Sequence, residues 1–309
     1  MLSVITVIMA LCSAYVPVLG NIAALLWPLP IVVLVVRHGL RWGIMAVAVS
    51  GVVMTALLGP AFSVVTIMTF AFVGLMLGVG YQRHWAAARC FMMALLVSAI
   101  STAAAFAFGF LVTGIDPTAI FSPEQMEKAY NATVAMYEDM GTDTTELIEK
   151  KETMLQMLGA LHLLLPSMIL GAAALVAALN FFVGGRVLRH LGYSVTGFPL
   201  FEDWRLPQVF VYLLGFSLVG LYWGNSRHIE LLTNISLNVD MIANFAGFIQ
   251  GLSLLYCLLK RFHVSHVLTV VLLCVAFLTA YQVVAFIGLF DMIFDYRRRF
   301  SNRGGNSLK

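Results

Sequence analysis

Charged side chains are scarce in this sequence. Asp, Glu, Lys and Arg make up 11% of the 309 residues, and the formal net charge is +3. Soluble domains are about one-quarter charged, so the composition excludes an ordinary soluble protein. The few basic residues are scattered and form no patch interleaved with aromatic side chains, so no nucleic-acid partner is expected.

Motifs for nucleotide, metal and nucleophilic chemistry are also missing. The sequence contains no GxxxxGK[ST] loop, no HExxH pair and no GxSxG elbow. The cysteines lie in apolar segments without a CxxC pair, and we interpret them as free thiols: Cys12, Cys90, Cys257 and Cys274. We therefore expect no enzyme activity, no cofactor and no metal, and any ATP-driven step must take place on another chain.

Long apolar runs account for most of the chain, which is 61% hydrophobic. Runs of about 17 to 25 residues are long enough to cross a hydrocarbon core of about 30 Å as helices. The sequence predicts an all-α, polytopic transmembrane helix bundle with eight or nine spans. The predicted segments are 2–16, 22–36, 42–58, 62–80, 90–113, 156–183, 206–223, 238–259 and 264–288. Pro166 is expected to kink the sixth segment.

The basic residues predict the sidedness of the loops. Arg and Lys follow every even-numbered segment: Arg37, Arg41, Arg83, Arg89, Arg186, Arg189, Lys260 and Arg261. Basic loops stay in the cytoplasm, so we predict a cytoplasmic amino terminus. The ninth segment conflicts with this alternation, because Arg297, Arg298 and Arg299 follow it where an external end is expected. The side of this basic tail is left open.

An acidic stretch is predicted on the external side. Residues 116–152 contain nine of the fifteen acids and three lysines. Ser122 and Pro123 give a helix start, and Gly141 a stop. Thr142 or Asp143 can cap a second helix. We predict a two-helix external cap over residues 115–156 that covers a pocket; the alternative is a solvated connector.

Polar and small residues within the spans mark candidate interior positions. An unpaired polar group is costly in hydrocarbon, so the bundle interior is expected around Asn180, Asp240, Asn244, Gln250 and Gln282. Small residues at four-residue spacing allow helices to approach closely. Such pairs are Ala10 with Ala14, Gly39 with Gly43, Gly74 with Gly78, and Gly247 with Gly251. Internal packing and docking of a partner are both open for these pairs.

The first 183 residues resemble the substrate-binding S components of energy-coupling-factor vitamin transporters. The resemblance is carried by the first helix with its Ala pair, by PLPIVVLVVRHGLRWG, by ALLGPAF and by GLMLGVG. It implies a six-helix membrane domain over 1–183, with the cap as its external loop. It also implies that Ala10 and Ala14 dock on a transmembrane coupling subunit. A cytoplasmic connector is expected at 184–205, and additional membrane helices with a basic tail at 206–309.

The carboxy-terminal part resembles the YybS family of uncharacterised bacterial membrane proteins. DWRLPQVFVY, the helix from Asn238 to Gly251, and GLFDMIFDYRRR carry this resemblance. The family is distantly similar to S components, which implies a place in the bacterial cytoplasmic membrane. It implies no particular solute.

Two functions are therefore predicted from different classes. The first is a small-solute-binding transporter component whose energy comes from a coupling subunit and ATPases on other chains. Its expected pocket residues are Tyr15, Asn21, Trp27, His162 and Asn180, with Trp27 and His162 near the external mouth. The alternative is a membrane scaffold or regulatory subunit of an envelope or signalling complex, acting through the last three segments and the basic tail.

Overall fold

The computed structural model describes residues 2–16, 19–114, 122–142 and 144–296. These residues form fourteen α-helices and no strand, which confirms the all-α prediction. The chain divides into two compact units, unit 1 (Met1–Gly197) and unit 2 (Phe198–Lys309). The helices are α1 (Leu2–Tyr15), α2 (Leu19–Leu26), α3 (Leu29–His38), α4 (Leu40–Leu58), α5 (Pro60–Gln82), α6 (Ala87–Thr113), α7 (Pro123–Asp139), α8 (Thr145–Glu149), α9 (Lys151–Ala160), α10 (Leu165–His190), α11 (Val209–Arg227), α12 (Glu230–Arg261), α13 (His266–Thr279) and α14 (Tyr281–Phe294).

Seven helical stretches in the described residues are long and apolar enough to cross a membrane. Six of them are single helices: α4, α5, α6, α11 and α12, which correspond to predicted segments, and α10. The second predicted segment is interrupted, because α2 and α3 are separate helices within the stretch Gly20–His38. The ninth is broken into α13 and α14, which are bent by 106°. With these breaks, the chain is a polytopic helix bundle.

The sixth predicted segment begins later than expected. Pro166 does not kink a long helix; it lies in the first turn of α10, which follows a 3-10 turn at Leu161–Leu164. Proline is tolerated there because the first N–H groups of a helix have no intrahelical acceptor. At its other end α10 continues to His190, so residues predicted as connector extend this helix by two turns. The two units divide between Gly197 and Phe198.

Unit 1 packs around α5, which contacts α3, α4 and α6, while α10 packs on α6, α2 and α3. Val35 of α3 fits between two glycines on neighbouring helices. A Cβ at Gly43 of α4 would lie 2.3 Å from Val35 Cγ2, and one at Gly78 of α5 would lie 2.5 Å from Val35 Cβ. A Cβ at Gly74 would likewise lie 3.0 Å from the Pro28 carbonyl oxygen. The small residues of α5 thus serve internal packing.

Unit 2 is centred on the pair α12 and α14. A Cβ at Gly288 would lie 1.8 Å from the Gly247 carbonyl oxygen and 2.4 Å from the Gly251 nitrogen. The two backbones therefore touch without side chains between them, as small-residue pairs in membrane helices allow. Gly247 and Gly251 form an internal face toward α14.

The carboxy-terminal ends of α12 and α14 both contact the same short segment, which precedes α11 in the chain. Lys260 Nζ lies 2.7 Å from Glu202 Oε1, and Arg205 Nη1 lies 2.8 Å from Asp295 Oδ2. Because α13 starts five residues after α12 ends, the bent pair enters and leaves at the same end of unit 2. Asp295, which directly follows α14, therefore contacts the same segment as Lys260 at the end of α12.

The acidic region contains the helices α7, α8 and α9. Ser122 caps α7, its Oγ accepting from the Gln125 N–H at 3.4 Å, and Gly141 follows α7 with a φ of +75°. Thr144, and not Thr142, precedes α8; Asp143 and residues 115–121 lie outside the described residues. The sequence therefore placed the start and the stop of the first cap helix correctly.

An ion pair joins two helices of this region. Lys151 Nζ donates to Glu127 Oε1 at 2.7 Å, and the Tyr130 hydroxyl donates to the Leu147 carbonyl. The Lys151 hydrogen bond, and then its charge, hold the pKa of the Glu127 carboxyl below its usual range. The pair therefore stabilises the folded region above the ordinary Glu pKa of about 4.3, and this contribution is lost as the pH falls through the lowered pKa.

Candidate functional site

The break between α2 and α3 interrupts a stretch of unit 1 that is long and apolar enough to cross a membrane. Pro28 and Pro30 have no N–H, so the carbonyls of Ala24 and Leu26 cannot receive the usual helical bond from four residues ahead. Ala24 instead accepts from the Trp27 N–H at 3.2 Å. A carbonyl freed at membrane depth must find another donor, because lipid supplies none.

Asn180 of α10 donates to a neighbouring carbonyl at the break, that of Leu25. Its Nδ2 donates to the Leu25 carbonyl at 2.8 Å and to the Val176 carbonyl of its own helix at 2.8 Å. Both amide hydrogens are therefore used, and they fix the orientation of the side chain. Its Oδ1 is buried and has no hydrogen-bond partner in the described part of the chain.

Trp27 lies at the break itself and is 0% exposed. It packs in a core cluster with Ala10, Ile31, Val35, Met54 and Ala71. Its Nε1 is the second buried polar atom near the break without a partner among the described residues. Leaving a buried donor or acceptor unpaired costs about 1–3 kcal/mol, so such atoms mark places where a ligand or an ordered water belongs.

The structure brings together only part of the predicted pocket. Asn180 and Trp27 share the break through Leu25, whereas Tyr15 is 71% exposed at the end of α1 and Asn21 is exposed in α2. Trp27 is fully buried in a packed cluster, so the expectation that it lies at a mouth and not in the packed centre is wrong. His162 lies in the 3-10 turn before α10, and its side chain is outside the described residues.

The two alanines proposed for coupling differ in environment. Ala10 is 0% exposed and packs in the same cluster as Trp27, while Ala14 is exposed. Ala10 is therefore used for internal packing, and the pair does not form one free docking face.

A second polar cluster lies in unit 2, about ten residues from the adjoining ends of α11 and α12. Asp240 Oδ1 lies 3.0 Å from Ser217 Oγ of α11, and Asp240 Oδ2 accepts from Asn244 Nδ2 at 2.9 Å. Tyr281, the first residue of α14, lies within electrostatic range of Asp240. The interior position predicted for Asn244 is confirmed, and Asp240 is partly buried, whereas Gln282 is exposed.

A third buried group links α12, α14 and the segment before α11. Gln250 Nε2 donates to Asp291 Oδ2 at 2.7 Å, and Gln250 Oε1 accepts from the Leu206 N–H at 3.0 Å. Asp291 Oδ1 accepts from the Tyr296 N–H at 3.1 Å. This arrangement fixes the end of α14, and we assign it a structural role.

Sequence reasoning missed two features of these sites. Pro28 and Pro30, separated by one residue, signalled the helix break, but beside a tryptophan they also fit an interfacial belt. Ser217 carried a weaker signal, a lone hydroxyl in an apolar helix, and only the pairing of α11 with α12 shows that it faces Asp240.

Comparison with known proteins agrees with this architecture. The family described as "Predicted membrane protein (DUF2232)" matches residues 4–292. The chain is 25% identical over 299 residues to a protein of Bacillus subtilis (strain 168) named "Uncharacterized protein YybS", covering 94% of each chain. No solved structure matches this chain.

Proposed function

Because the chain belongs to the DUF2232 family of predicted membrane proteins, we propose that this multi-pass membrane protein is a small-solute-binding component of a transporter. The observation that carries the proposal is the α2–α3 break. There Asn180 bonds a carbonyl of the interrupted helix, and a buried donor and a buried acceptor stay unpaired. Interrupted helices with satisfied backbone and free polar atoms are typical of solute sites in membrane transporters.

The unpaired atoms define the chemistry of the solute. Trp27 Nε1 only donates, and Asn180 Oδ1 only accepts. A matching solute therefore carries an acceptor and a donor beside an apolar body, as nucleobases, vitamins and amino acids do. The buried packing around Trp27 favours a small, flat group over a long chain.

We expect at least one such solute to raise the melting temperature of the purified protein. A ligand at a hundredfold excess over its Kd stabilises the folded state by about 2.7 kcal/mol. The measurement is a melting-shift screen of vitamins, nucleobases and amino acids. Trp27→Phe keeps the ring packing and removes Nε1, so we expect it to weaken binding about tenfold, the effect of one lost hydrogen bond of about 1.4 kcal/mol.

Trp42→Phe is the control, because Trp42 is exposed on α4. If the solute raises the melting temperature of Trp27→Phe as much as that of Trp42→Phe, Trp27 does not contact the solute. No shift with any solute would favour the scaffold alternative, since a scaffold gains no stability from small molecules.

We propose that the amino terminus and the basic helix ends lie in the cytoplasm of a bacterium. If each long helix crosses the membrane, the ends of α3, α5, α10 and α12 fall on one side, and all four carry the Arg and Lys residues noted above. Basic residues resist translocation, so this side is cytoplasmic. We further propose that the bent α13–α14 pair is re-entrant. Arg297, Arg298 and Arg299 lie outside the described residues; a cytoplasmic basic tail would then agree with the sequence pattern.

Cysteine labelling in intact cells tests this topology. With the native cysteines replaced, we expect a cysteine at Thr142 to react with a membrane-impermeant thiol reagent. Cysteines at His38 and Tyr296 should react only after the membrane is permeabilised. Labelling of Tyr296→Cys from outside would exclude the re-entrant pair, and labelling of His38→Cys alone would invert the whole topology.

Energy for transport is proposed to come from other chains. The sequence has no GxxxxGK[ST] loop, so a transmembrane coupling subunit and ATPases would supply it. Ala10 is buried, so the docking surface for such a subunit must lie elsewhere than on the Ala10 and Ala14 pair.

A further inference from the structure

The polar cluster around Asp240 in unit 2 has too few hydrogens for its oxygens. Ser217 Oγ lies 2.8 Å from the Leu214 carbonyl and 3.0 Å from Asp240 Oδ1. A serine hydroxyl has one hydrogen, so it can donate well to only one of these acceptors. When it donates to the Leu214 carbonyl, Asp240 Oδ1 loses this hydrogen bond, and a cation beside the carboxylate would take its place.

Two further oxygens without partners lie on the same face of α12. Asn244 is 7% exposed, its Nδ2 bonds Asp240, and its Oδ1 has no partner among the described residues. Ser236, one turn before Asp240, is 0% exposed, and its Oγ is likewise unpaired. A proton on Asp240 would satisfy the contact with Ser217 and would leave the Asn244 oxygen unpaired.

The charge and the depth of the cluster select a monovalent ion. Asp240 lies ten residues into α12, about 15 Å from its Glu230 end at 1.5 Å per residue. One carboxylate in a low-dielectric environment is neutralised by one positive charge. The groups that the structure shows beside Asp240, the Ser217 hydroxyl and the Asn244 amide, are neutral.

Close helix packing at the cluster favours a small ion. A Cβ at Gly220 of α11 would lie 2.1 Å from Ser236 Oγ, so α11 and α12 approach closely here. The break between α13 and α14 precedes Tyr281, which lies within electrostatic range of Asp240, and the carbonyl ends of short helices coordinate sodium in membrane transporters. We propose that Asp240, Ser217 and Asn244 hold a sodium ion beside this break. The proposal does not rest on the solute site of unit 1.

Thermal unfolding of the full-length protein in detergent tests the proposal. Sodium chloride replaces choline chloride stepwise at constant ionic strength and pH. We expect sodium to raise the melting temperature by about 3 °C at ten times its Kd. Asp240→Asn keeps the shape of the side chain and removes its charge, so it should lose this shift. Asp203→Asn, at an exposed carboxylate, should keep it.

Ser217→Ala provides a second variant in case Asp240→Asn does not fold. It removes one ion ligand, so the sodium concentration that gives the half-maximal shift should rise about tenfold. The proposal is overturned if wild-type protein melts at the same temperature in sodium and in choline. It is also overturned if a folded Asp240→Asn variant keeps the shift, or if stability follows pH alone, which would indicate a proton site.

Discussion

Replacing Gly288 with Ala is expected to lower the free energy of unfolding by at least about 3 kcal/mol. The new Cβ would overlap the Gly247 carbonyl oxygen and the Gly251 nitrogen of α12. Both are backbone atoms, so no side-chain rotation can relieve the clash and the helices must move apart. The buried bond between Gln250 and Asp291 spans the same interface and would be strained as well. Thermal unfolding in detergent should show a melting temperature lower by about 6 °C or more.

Gly215→Ala is the matched control for this variant. Gly215 lies inside α11 of the same unit, and a Cβ there would meet nothing within 4 Å. Ala is favoured over Gly within helices by roughly 0.5–1 kcal/mol, so this variant should be as stable as the wild type or slightly more stable. Equal melting temperatures for the two variants would contradict the close packing of α12 on α14.

Replacing Trp27 with Ala is expected to cost about 3–5 kcal/mol of folding free energy. The side chain is fully buried against α1, α3, α4 and α5, so its removal leaves a cavity between four helices. Differential scanning fluorimetry or chemical unfolding measures the loss. Trp42→Ala, which removes the same side chain from an exposed position on α4, should cost about 1 kcal/mol or less.

The contrast between Trp27→Ala and Trp27→Phe separates packing from recognition. The alanine variant should unfold at a lower temperature whether or not a solute is present, whereas the phenylalanine variant should keep most of the stability and lose affinity. If Trp27→Ala were as stable as Trp42→Ala, Trp27 would lie at an open mouth and the buried break would be wrong.

The sequence predicted the helices well because membrane spans depend on composition over long stretches. Apolar length alone located α4, α5, α6, α11 and α12, and the cost of polar groups in lipid located Asn180, Asn244 and Gln250 in the interior. Local cap chemistry likewise located the start of α7 at Ser122. These features depend on residues nearby in the sequence or on the surrounding solvent, so they can be predicted from the sequence alone.

The helix breaks at the two sites were harder to predict because they depend on distant residues. No Pro or Gly lies next to Ala280, and the apolar composition of α13 and α14 is continuous across it. The bend follows from packing: Gly288 holds α14 against α12, and the Tyr281 ring lies 4.7 Å from the Phe248 ring. At the other break, the sequence shows Pro28. The hydrogen bond to the Leu25 carbonyl was not predictable, because its donor, Asn180, is 155 positions away.

The short lengths of α13 and α14 make unit 2 sensitive to the acyl chains around it. Each has 14 residues, about 21 Å of helix, against a hydrocarbon core of about 30 Å. Longer acyl chains move both water interfaces away from the polar backbone at Ala280, and shorter chains bring them nearer. If the pair is re-entrant, as proposed, hydrophobic mismatch acts on the angle between these helices, and we expect bilayer thickness to set how accessible Asp240 is.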